Sequence, residues 1–329
     1  MEKKISTIGI LTSGGDAPGM NAAIRAVARK ALSLGIKVYG IKRGYNGLIH
    51  DDVFEITIRD LSNILQLGGT CLFTARSPEF KTEEGMQKAI ATCKKYGIEG
   101  VVVIGGDGSY RGARDLSLRG VPCVGIPGTI DNDIASTDHT IGFDTAMNTA
   151  MELIDKLRDT SQSHDRCSVV EVMGRRCGDI ALRTGIAVGA TSILIPEIPF
   201  DFKTHVIDRI KRGKSLGKTN FIIVVAEGVS GGEFGNINDI AKKIEAETGV
   251  ETRATILGHI QRGGSPTLKD RLLASQMGAY AVDLLARGIG NRVVCINDEK
   301  INDKDIYEAL EMKNIVHQDL YNIAHEISL

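Results

Sequence analysis

The chain has 329 residues, of which 42% are hydrophobic and 25% are charged, and its formal net charge is −1. This length is sufficient for two domains, and the hydrophobic share is typical of a soluble globular protein. A net charge near zero excludes a general attraction to nucleic acid or to a membrane surface, so phosphate recognition must come from locally placed arginines. No apolar run is long enough to span a bilayer and no signal-peptide pattern is present, so we expect a cytoplasmic protein.

The cysteines and glycines restrict the fold class further. Six cysteines are scattered without a Cys-x-x-Cys pair, which predicts reduced core thiols rather than a zinc site or a disulfide framework. The 38 glycines lie largely at the ends of apolar runs, as in folds with many strand-to-helix turns. Composition therefore favours an α/β protein.

The first predicted unit is a strand over Thr7–Thr12 followed by a helix over Met20–Leu34. The glycine-rich turn between them, 13–21, can present backbone N–H groups to a phosphate. Arg25 and Arg29 lie four residues apart and so share one helix face. Such a pair is either solvated or holds a phosphate between two guanidinium groups.

The central motif is an apolar run, 101–104, that ends in Gly105-Gly106-Asp107-Gly108-Ser109. Four β-branched residues predict a strand buried on both faces, and Ser109 is expected to cap a helix over Tyr110–Leu118. Glycines allow a pyrophosphate to approach the backbone closely, and Asp107 offers a hard oxygen ligand for Mg²⁺. The spacing matches neither the P-loop nor the dinucleotide fingerprint, and a purely structural turn is the alternative.

A second acidic turn follows the strand predicted over Val121–Ile126. It contains Asp131 and Asp133, two carboxylates placed where open α/β sheets bind their ligands. Like charges this close imply a cation, a proton-transfer task or both, and an Asx-rich turn is the alternative. A kinase needs one carboxylate to accept the proton of the acceptor hydroxyl.

The rest of the chain repeats the strand–turn–helix pattern. Asp179 is expected to cap the helix that starts at Ile180, and Glu227 follows a strand, where it binds a sugar hydroxyl or faces water. The loop 251–266 is rich in phosphate-binding groups. Strands are predicted over 37–41, 168–172, 192–195 and 221–226, and helices over 88–96, 145–158, 237–248 and 268–286.

Five segments of the chain closely resemble those of the bacterial ATP-dependent 6-phosphofructokinases, in the same order. They are Thr12–Asn21, Gly105–Ser109, Pro127–Asp133, Val170–Arg175 and Thr252–Pro266. The resemblance covers essentially the whole chain. It implies an α/β fold with two three-layer α/β/α domains, mostly parallel Rossmann-like sheets and a chain that crosses between the domains. A larger ATP-binding domain is expected over 1–141 plus 260–310, and a smaller sugar-phosphate-binding domain over 142–259 plus 311–329.

The resemblance implies transfer of the γ-phosphoryl group of MgATP to the 1-hydroxyl of fructose 6-phosphate, the committed step of glycolysis. Asp131 resembles the general base, with Thr129 and Arg175 beside it, and Asp107 resembles the Mg²⁺ ligand. The implied ATP contacts are Gly15, Arg76, Ser77, Gly106, Asp107, Gly108 and Ser109. The implied sugar-phosphate contacts are Thr129, Ile130, Asp131, Arg166, Met173, Gly174, Arg175, Glu227, Arg253, His259, Ile260, Gln261 and Arg262.

The same resemblance implies a homotetramer in which Arg166 and Arg253 reach into the active site of a neighbouring subunit. An effector site for ADP or phosphoenolpyruvate is implied at Arg25, Arg29, Arg158 and Lys218. The chain departs from its relatives at three positions that bear on this site. These are Thr191, where a metal-binding Glu is usual, Leu216, where a Lys is common, and Ile58, where some relatives have Arg.

Several other functions are alternatives to this one. Pyrophosphate-dependent relatives resemble the chain but have an Asp at Gly108 and a Lys at Gly128, so small residues at both positions favour ATP. A lipid-directed or NAD-directed kinase shares the glycine-rich turn but not the basic loop 251–266. A non-catalytic nucleotide sensor would not require Asp131 and Asp133 together, and a dinucleotide oxidoreductase would require the missing fingerprint.

Overall fold

The computed structural model describes residues 5–231, 234–314 and 317–328. The chain divides into two compact units. Unit 1 comprises Met1–Ile130, Ile134–Thr145 and Arg262–Asn314, and unit 2 comprises Asp131–Asp133, Ala146–Gln261 and Ile315–Leu329. The chain therefore passes between the units repeatedly, as the family resemblance implies.

Strands and helices alternate along most of the described chain. The first part contains β1 (Thr7–Ser13), α1 (Met20–Ser33), β2 (Lys37–Ile41), α2 (Tyr45–Ile49), β3 (Val53–Glu55), α3 (Glu83–Tyr96), β4 (Gly100–Gly105), α4 (Asp107–Ser117) and β5 (Cys123–Pro127). The middle contains α5 (Phe143–Ser163), β6 (Cys167–Val172), α6 (Asp179–Ala187), β7 (Ser192–Leu194), α7 (Asp208–Ser215), β8 (Phe221–Ala226), α8 (Ile237–Thr248) and β9 (Thr252–Ile256). The last part contains α9 (Leu268–Ala286), β10 (Arg292–Asn297), β11 (Lys300–Asp305), α10 (Ile306–Glu311) and α11 (Gln318–Ile327).

Unit 1 is built on a seven-stranded sheet with the order β11-β10-β5-β4-β1-β2-β3. Its five central strands are parallel, and the two edge strands β3 and β11 are antiparallel to their neighbours. The register pairs Ser13 with Gly105 and Gly105 with Pro127. Because parallel strands end at the same edge, the turns after β1, β4 and β5 lie side by side.

Unit 2 is built on a four-stranded parallel sheet with the order β7-β8-β6-β9. Every residue of β8 is buried, so the sheet is covered on both faces, as is usual for parallel sheets. Apolar residues of α7 and α8 pack on this sheet, among them Ile210, Ile240 and Ile244. Both sheets confirm the expected α/β class with mostly parallel strands.

The predicted element bounds are confirmed for β2, β8, α8 and α9, and two predicted helix caps are wrong. Helix α4 begins at Asp107 with Gly106 at its N-cap, because the Ser109 hydroxyl donates instead to the Ser13 carbonyl. Helix α6 begins at Asp179 itself, whose carboxylate binds side chains rather than capping the helix. Elements α2, β3, α7, β9, β10, β11, α10 and α11 were not predicted, and β9 lies within the segment 251–266 that was expected to be a loop.

Two further expectations concern the cysteines and membrane association. Five of the six cysteines are free and buried, as expected, whereas Cys71 is exposed. Burial raises the pKa of the Cys93, Cys123, Cys167 and Cys177 thiols to about 12. In the described ranges, no helix has both the length and the apolar character needed to cross a bilayer.

Candidate active site

The turns that follow β1 and β4 are bonded directly to each other. The Ser109 Oγ donates to the Ser13 carbonyl oxygen over 2.9 Å. A methyl group on Gly105 would lie 2.4 Å from both the Ser13 carbonyl oxygen and the Ser109 Oγ, so only glycine fits between them. The Tyr45 hydroxyl fixes the same turn by donating to the Ser109 carbonyl over 2.6 Å. The site residue Ser109 is therefore held by two other elements, β1 through Ser13 and α2 through Tyr45.

The start of α4 leaves space above the glycine-rich turn. A methyl group on Gly108 would meet no heavy atom within 4 Å. The positive end of the helix lies at this turn, where backbone N–H groups are suited to bind phosphate. Asp107 lies in the first turn of α4, and its carboxylate accepts hydrogen bonds from Arg111 Nε and Nη2 over 3.2 and 3.3 Å.

Asp107 is chemically suited to hold Mg²⁺ together with a nucleotide. Among residues 5–231, 234–314 and 317–328, no group of three or more His, Cys, Asp or Glu side chains is arranged so that it could hold a metal ion. Mg²⁺ does not need such a cluster, because it keeps several waters and is usually bound by one or two carboxylates plus substrate phosphates. The Asp107 side chain is 40% exposed, so it can be reached by a hydrated cation.

A loop before α3 places two predicted ATP contacts beside the first glycine-rich turn. Thr12 Oγ1 donates to the Phe73 carbonyl over 2.8 Å, and Thr74 Oγ1 donates to the Gly14 carbonyl over 2.7 Å. These bonds tie the loop to β1 and to the turn that contains Gly15. Arg76 follows on the exposed side, and the buried Ser77 Oγ has no hydrogen-bond partner among the described residues.

Arg262 and Asn21 also organise this first turn. Arg262 Nη1 donates to the Asp16 carbonyl over 3.1 Å, and a methyl group on Gly15 would lie only 2.6 Å from that nitrogen. The buried Asn21 Nδ2 donates to the Leu67 and Gly68 carbonyls, and its Oδ1 accepts from the backbone N–H of residue 71. The sequence suggested a ligand contact for Arg262 and missed the structural role of Asn21.

The segment after β5 carries the predicted base. Its first part belongs to unit 1, where the Thr129 N–H donates to the Ile141 carbonyl over 3.1 Å. The Thr129 carbonyl in turn accepts from Thr140 Oγ1 over 2.6 Å. Thr129 and Asp131 are each only 7% exposed, and Ile130 is fully buried. The backbone that leads to Asp131 is therefore held on both sides of Thr129.

The second part of this segment, 131–133, belongs to unit 2. Asn132 adopts the left-handed conformation with φ of 51°, which Asn tolerates better than most residues. Its Nδ2 donates to Asp179 Oδ2 over 2.9 Å, and Arg183 Nε donates to the other Asp179 oxygen over 3.2 Å. Asp179 thus links the start of α6 to the residue between the two predicted carboxylates.

A turn at the carboxyl end of β6 collects several predicted sugar-phosphate contacts. Gly174 has a φ of 139° and Arg175 a φ of 60°, so the turn needs external support. Glu227 Oε1 provides this support by accepting from the backbone N–H groups of both residues. Arg175 Nη1 lies 3.8 Å from Asp133 Oδ2, and Met173 is 8% exposed. Glu227 therefore does not simply face water, because its Oε1 fixes the arginine turn.

The remaining predicted contacts of loop 251–266 lie in a short 3₁₀ helix over Gly258–Arg262. His259 and Ile260 are exposed, and Ile260 retains 57% of its accessible surface. Gln261 is fully buried, and its Nε2 donates to the Gly258 carbonyl over 3.1 Å. This helix presents its first residues to solvent while Gln261 anchors it.

Arg166 and Arg253 lie at the opposite end of the unit 2 sheet. Glu251 binds both, with 2.9 Å to Arg166 Nε and 2.6 Å to Arg253 Nη2. Arg166 immediately precedes β6 and Arg253 is the second residue of β9, whereas the Gly174–Arg175 turn follows β6. Since β6 has six residues and each residue of a strand adds about 3.3 Å, the two ends are roughly 20 Å apart.

Two of the four predicted effector residues come together in unit 2. Lys218 Nζ donates to Thr191 Oγ1 over 3.1 Å, and Arg158 Nη2 donates to the Val188 carbonyl. Burial and the nearby Arg158 charge lower the pKa of Lys218. Arg25 and Arg29 lie on α1 in unit 1, where Arg25 is half-buried and Arg29 is exposed.

Leu216 and Ile58, the other two departures, are exposed apolar side chains at 71% and 62% of their accessible surface. Neither contributes a charge to an anion site, in contrast to the basic residues expected at these positions. A cationic cluster of Arg158 and Lys218 therefore remains in unit 2, and Thr191 adds a hydroxyl to it.

Comparison with known proteins agrees with this geometry. A family model described as phosphofructokinase matches residues 7–285. An ATP-dependent 6-phosphofructokinase of Bacillus subtilis is 58% identical over 323 residues, which cover 98% of this chain and 99% of the relative. One of Clostridium tetani is 59% identical over 321 residues, with the same two coverages.

Solved structures show the same similarity. The phosphofructokinase of Saccharomyces cerevisiae has a TM-score of 0.88 at 35% identity, over 99% of this chain and 48% of that one. A pyrophosphate-dependent phosphofructokinase of Marinobacter aquaeolei has a TM-score of 0.83 over 97% of this chain and 91% of that one, but its 21% identity shows the fold alone. With the family model covering most of the chain and curated relatives of almost the same length, the chain belongs to the phosphofructokinase family.

Proposed function

We propose that the chain transfers the γ-phosphoryl group of ATP to the 1-hydroxyl of fructose 6-phosphate. The observation that carries this proposal is the meeting of the turns after β1, β4 and β5 at one edge of the unit 1 sheet, with Ser109 bonded to Ser13. The names of the full-length relatives at 57–59% identity support the same reaction with ATP as donor.

In this reaction Asp131 is the general base that accepts the proton of the attacking hydroxyl. The burial of Asp131 and the hydrogen bonds around Thr129 support this role, because a base must be held within hydrogen-bond reach of its proton. Little covalent chemistry is needed beyond this step, since phosphoryl transfer depends mainly on positioning and electrostatic stabilisation.

The charge on the transferring phosphoryl group is offset by this chain's own donors. The Gly15 N–H and Arg76 serve this purpose, and Gly106, Gly108, Ser109 and Ser77 bind the rest of the nucleotide. Asp107 would hold Mg²⁺, which neutralises phosphate charge when it is bound with ATP. The sugar phosphate is held by the Met173–Arg175 turn, which Glu227 supports, and by His259 and Arg262.

The donor is ATP rather than pyrophosphate because the glycine-rich turn is open. The empty space at Gly108 leaves room for a nucleotide. At Gly128 a methyl group would already lie 3.0 Å from Ile104 Cγ2 and 3.1 Å from Met20 Cε. The lysine of pyrophosphate-dependent relatives would therefore require this part of unit 1 to shift.

We also propose that active sites are shared in a homotetramer. Arg166 and Arg253 lie roughly 20 Å along the sheet from the Gly174–Arg175 turn. They are therefore suited to complete the sugar-phosphate site of a neighbouring subunit rather than their own. The cluster of Arg158, Lys218 and Thr191 would bind an anionic effector such as ADP or phosphoenolpyruvate.

The test is a coupled assay of ADP release from MgATP with and without fructose 6-phosphate, repeated with pyrophosphate as donor. We expect sugar-dependent turnover with ATP alone. Replacement of Asp131 by Ala should lower kcat by about 10²–10⁴-fold, the usual contribution of a positioned base. ADP binding, measured by calorimetry, should stay within twofold because Asp131 is not assigned to the nucleotide.

Near-normal turnover of Asp131→Ala would contradict the assignment of the base. An absence of turnover in the unmodified chain with every donor would favour a non-catalytic nucleotide sensor. Turnover with pyrophosphate but not with ATP would contradict the assigned donor.

A further inference from the structure

Asp270 is a buried carboxylate to which the proposed reaction gives no role. It lies in the first turn of α9 and is only 1% exposed. Burial raises its pKa, and the nearby Asp144 charge acts in the same direction. A buried carboxylate is costly to the fold unless its oxygens are fully hydrogen-bonded. Its partners therefore indicate what the residue does.

Both carboxylate oxygens bind the chain that leads into α5. Asp270 Oδ1 accepts from the Gly142 N–H over 2.9 Å. Asp270 Oδ2 accepts from the Thr145 N–H over 2.8 Å and from Thr145 Oγ1 over 2.5 Å. Hydrogen bonds to an ionised acceptor are stronger than neutral ones, so this contact fixes residues 142–145 firmly.

The starts of α5 and α9 are further interlocked around this carboxylate. The Thr267 N–H donates to Thr145 Oγ1 over 3.0 Å, and Thr267 Oγ1 donates to Asp144 Oδ2 over 2.7 Å. Thr267 is also the N-cap of α9, where it accepts from the Asp270 N–H. The two helix starts thus form one hydrogen-bonded cluster centred on Asp270.

Residues 140–141, immediately before this cluster, hold the backbone of the proposed catalytic segment. The Ile141 N–H donates to the Pro127 carbonyl over 2.8 Å, and the Ile141 carbonyl accepts from the Thr129 N–H over 3.1 Å. Thr140 Oγ1 donates to the Thr129 carbonyl over 2.6 Å. Both polar groups of the Thr129 backbone are therefore bonded to residues next to those that Asp270 fixes.

From this chain of contacts we infer that Asp270 is a positioning residue for Asp131. It acts through Gly142 and Thr145, then through residues 140–141, and finally through Thr129, which lies two residues before Asp131. The inference rests on the proposed role of Asp131 as base. It concerns the placement of that base and not the binding of ATP.

The experiment uses the full chain and compares Asp270→Asn with the unmodified protein. Asparagine keeps the shape of the side chain but loses one acceptor, so one of the bonds to residues 142–145 is lost. A displacement of about 1 Å at a reacting group can cost on the order of 10²-fold in rate, so we expect kcat to fall by about 10–100-fold. The KM for MgATP should stay within twofold.

Asp303→Asn is the matched control for a general loss of stability. Asp303 also belongs to unit 1, where it accepts from Tyr280 Oη over 2.7 Å and binds Arg292. It lies on the edge strand β11, away from the cluster around Asp270. Kinetics are measured well below the melting temperature of each variant, with folding checked by circular dichroism. The control should lower the melting temperature while leaving kcat within twofold.

A double-mutant cycle with Thr140→Val tests the path itself. If Asp270 and Thr140 act in series on Thr129, the kcat of the double variant should be little lower than that of the less active single variant. If they act independently, the two fold-losses in kcat should multiply. Unchanged kcat in Asp270→Asn, an equal loss in Asp303→Asn, or multiplicative losses in the cycle would each overturn the inference. These outcomes test the role of Asp270 only. Whether Asp131 is the base is tested separately, by the turnover of Asp131→Ala.

Discussion

In the proposed function, a single residue of the glycine-rich turn, Gly108, decides which phosphoryl donor is accepted. Gly105 is enclosed by Ser13 and Ser109, whereas Gly108 faces open space one turn away. The fold itself therefore requires the first glycine but not the second. In the proposed function, Gly108 is small because the nucleotide binds there, and this explanation can be tested.

Replacement of Gly108 by Asp should weaken ATP binding without unfolding the protein. The new carboxylate would extend into the space assigned to the nucleotide phosphates and repel them. At the start of α4 an acidic side chain is favourable to the helix, so the melting temperature should not fall. We expect the KM for MgATP to rise by at least about tenfold, the effect of roughly 1.4 kcal/mol.

Gly108→Ala is the control for that experiment. Its methyl group meets no neighbour, and alanine in a helix is more stable than glycine by about 0.5–1 kcal/mol. The alanine variant should therefore be slightly more stable and should bind ATP nearly normally. An equal rise of KM in both variants would mean that any side chain blocks the site and that charge does not decide the donor.

Among the elements, α11 is attached to its unit in part through Arg209. Arg209 Nη1 donates to the Thr191 carbonyl over 3.0 Å, and Arg209 Nη2 donates to the His325 carbonyl over 2.9 Å. The His325 ring packs on Tyr321 and on the edge of His205. Burial, Arg209 and His205 together lower the pKa of His325 to about 4.

This lowered pKa predicts that acid destabilises the attachment of α11. A histidine in the unfolded chain takes up a proton below about pH 6.5, whereas folded His325 resists protonation down to about pH 4. The stabilising contribution is therefore complete above pH 6.5 and is lost as the pH falls from 6.5 towards 4.

We expect His325→Gln to reduce the fall in melting temperature between pH 7 and pH 4.5. The control is His164→Gln, because His164 lies on an exposed turn outside this cluster, and it should keep the steep dependence of the unmodified protein. Equal slopes for all three proteins would show that His325 does not contribute.

The elements that sequence predicted well are long and strongly patterned. Helix α9 buries nine of its 19 residues and strand β8 is a continuous apolar run that is buried throughout, so the placement of apolar residues indicated the bounds of both elements. Strand β11 has the sequence Lys-Ile-Asn-Asp-Lys-Asp, which contains no apolar alternation, and it forms only because β10 offers it an antiparallel edge. Helix α2 has five residues, too few for a periodic signal.

The candidate site was predictable to the extent that its residues carry charge or lie in glycine-rich turns. Asp107 and Asp131 belong to motifs that sequence alone marks as unusual. Asn21 and Asp270 were missed because their functions depend on partners about 50 and 125 residues away. Glu227 was identified as a candidate sugar contact, but its support of the Gly174–Arg175 turn was missed, since its partners there are backbone N–H groups that no sequence pattern reveals.

At the scale of the whole molecule, the proposal of shared sites can be tested by mixing subunits. Asp131→Ala and Arg166→Ala homo-oligomers should both be nearly inactive. In a mixed oligomer, a subunit with intact Asp131 can be completed by the intact Arg166 of its neighbour. Random pairing across a two-fold interface restores about a quarter of the sites.

The measurement is turnover after the two variants are dissociated together, mixed in equal amounts and allowed to reassemble. A mixture of Asp131→Ala with Asp131→Asn serves as the control, because no pairing of these subunits restores a base. Activity no higher than that of the separate variants would contradict the sharing of sites.

Glu251 binds Arg166 and Arg253 at once, so one carboxylate holds both of the side chains that a subunit is proposed to lend to its neighbour. If active sites are shared as proposed, a subunit without Asp131 would lose only the reaction that it carries out itself. A subunit without Glu251 would instead impair the site next door, even when that neighbour is intact. In a cell that makes equal amounts of both forms of the chain, either loss would leave about half of the sites active, but the lost site would belong to the variant subunit in the first case and to its neighbour in the second.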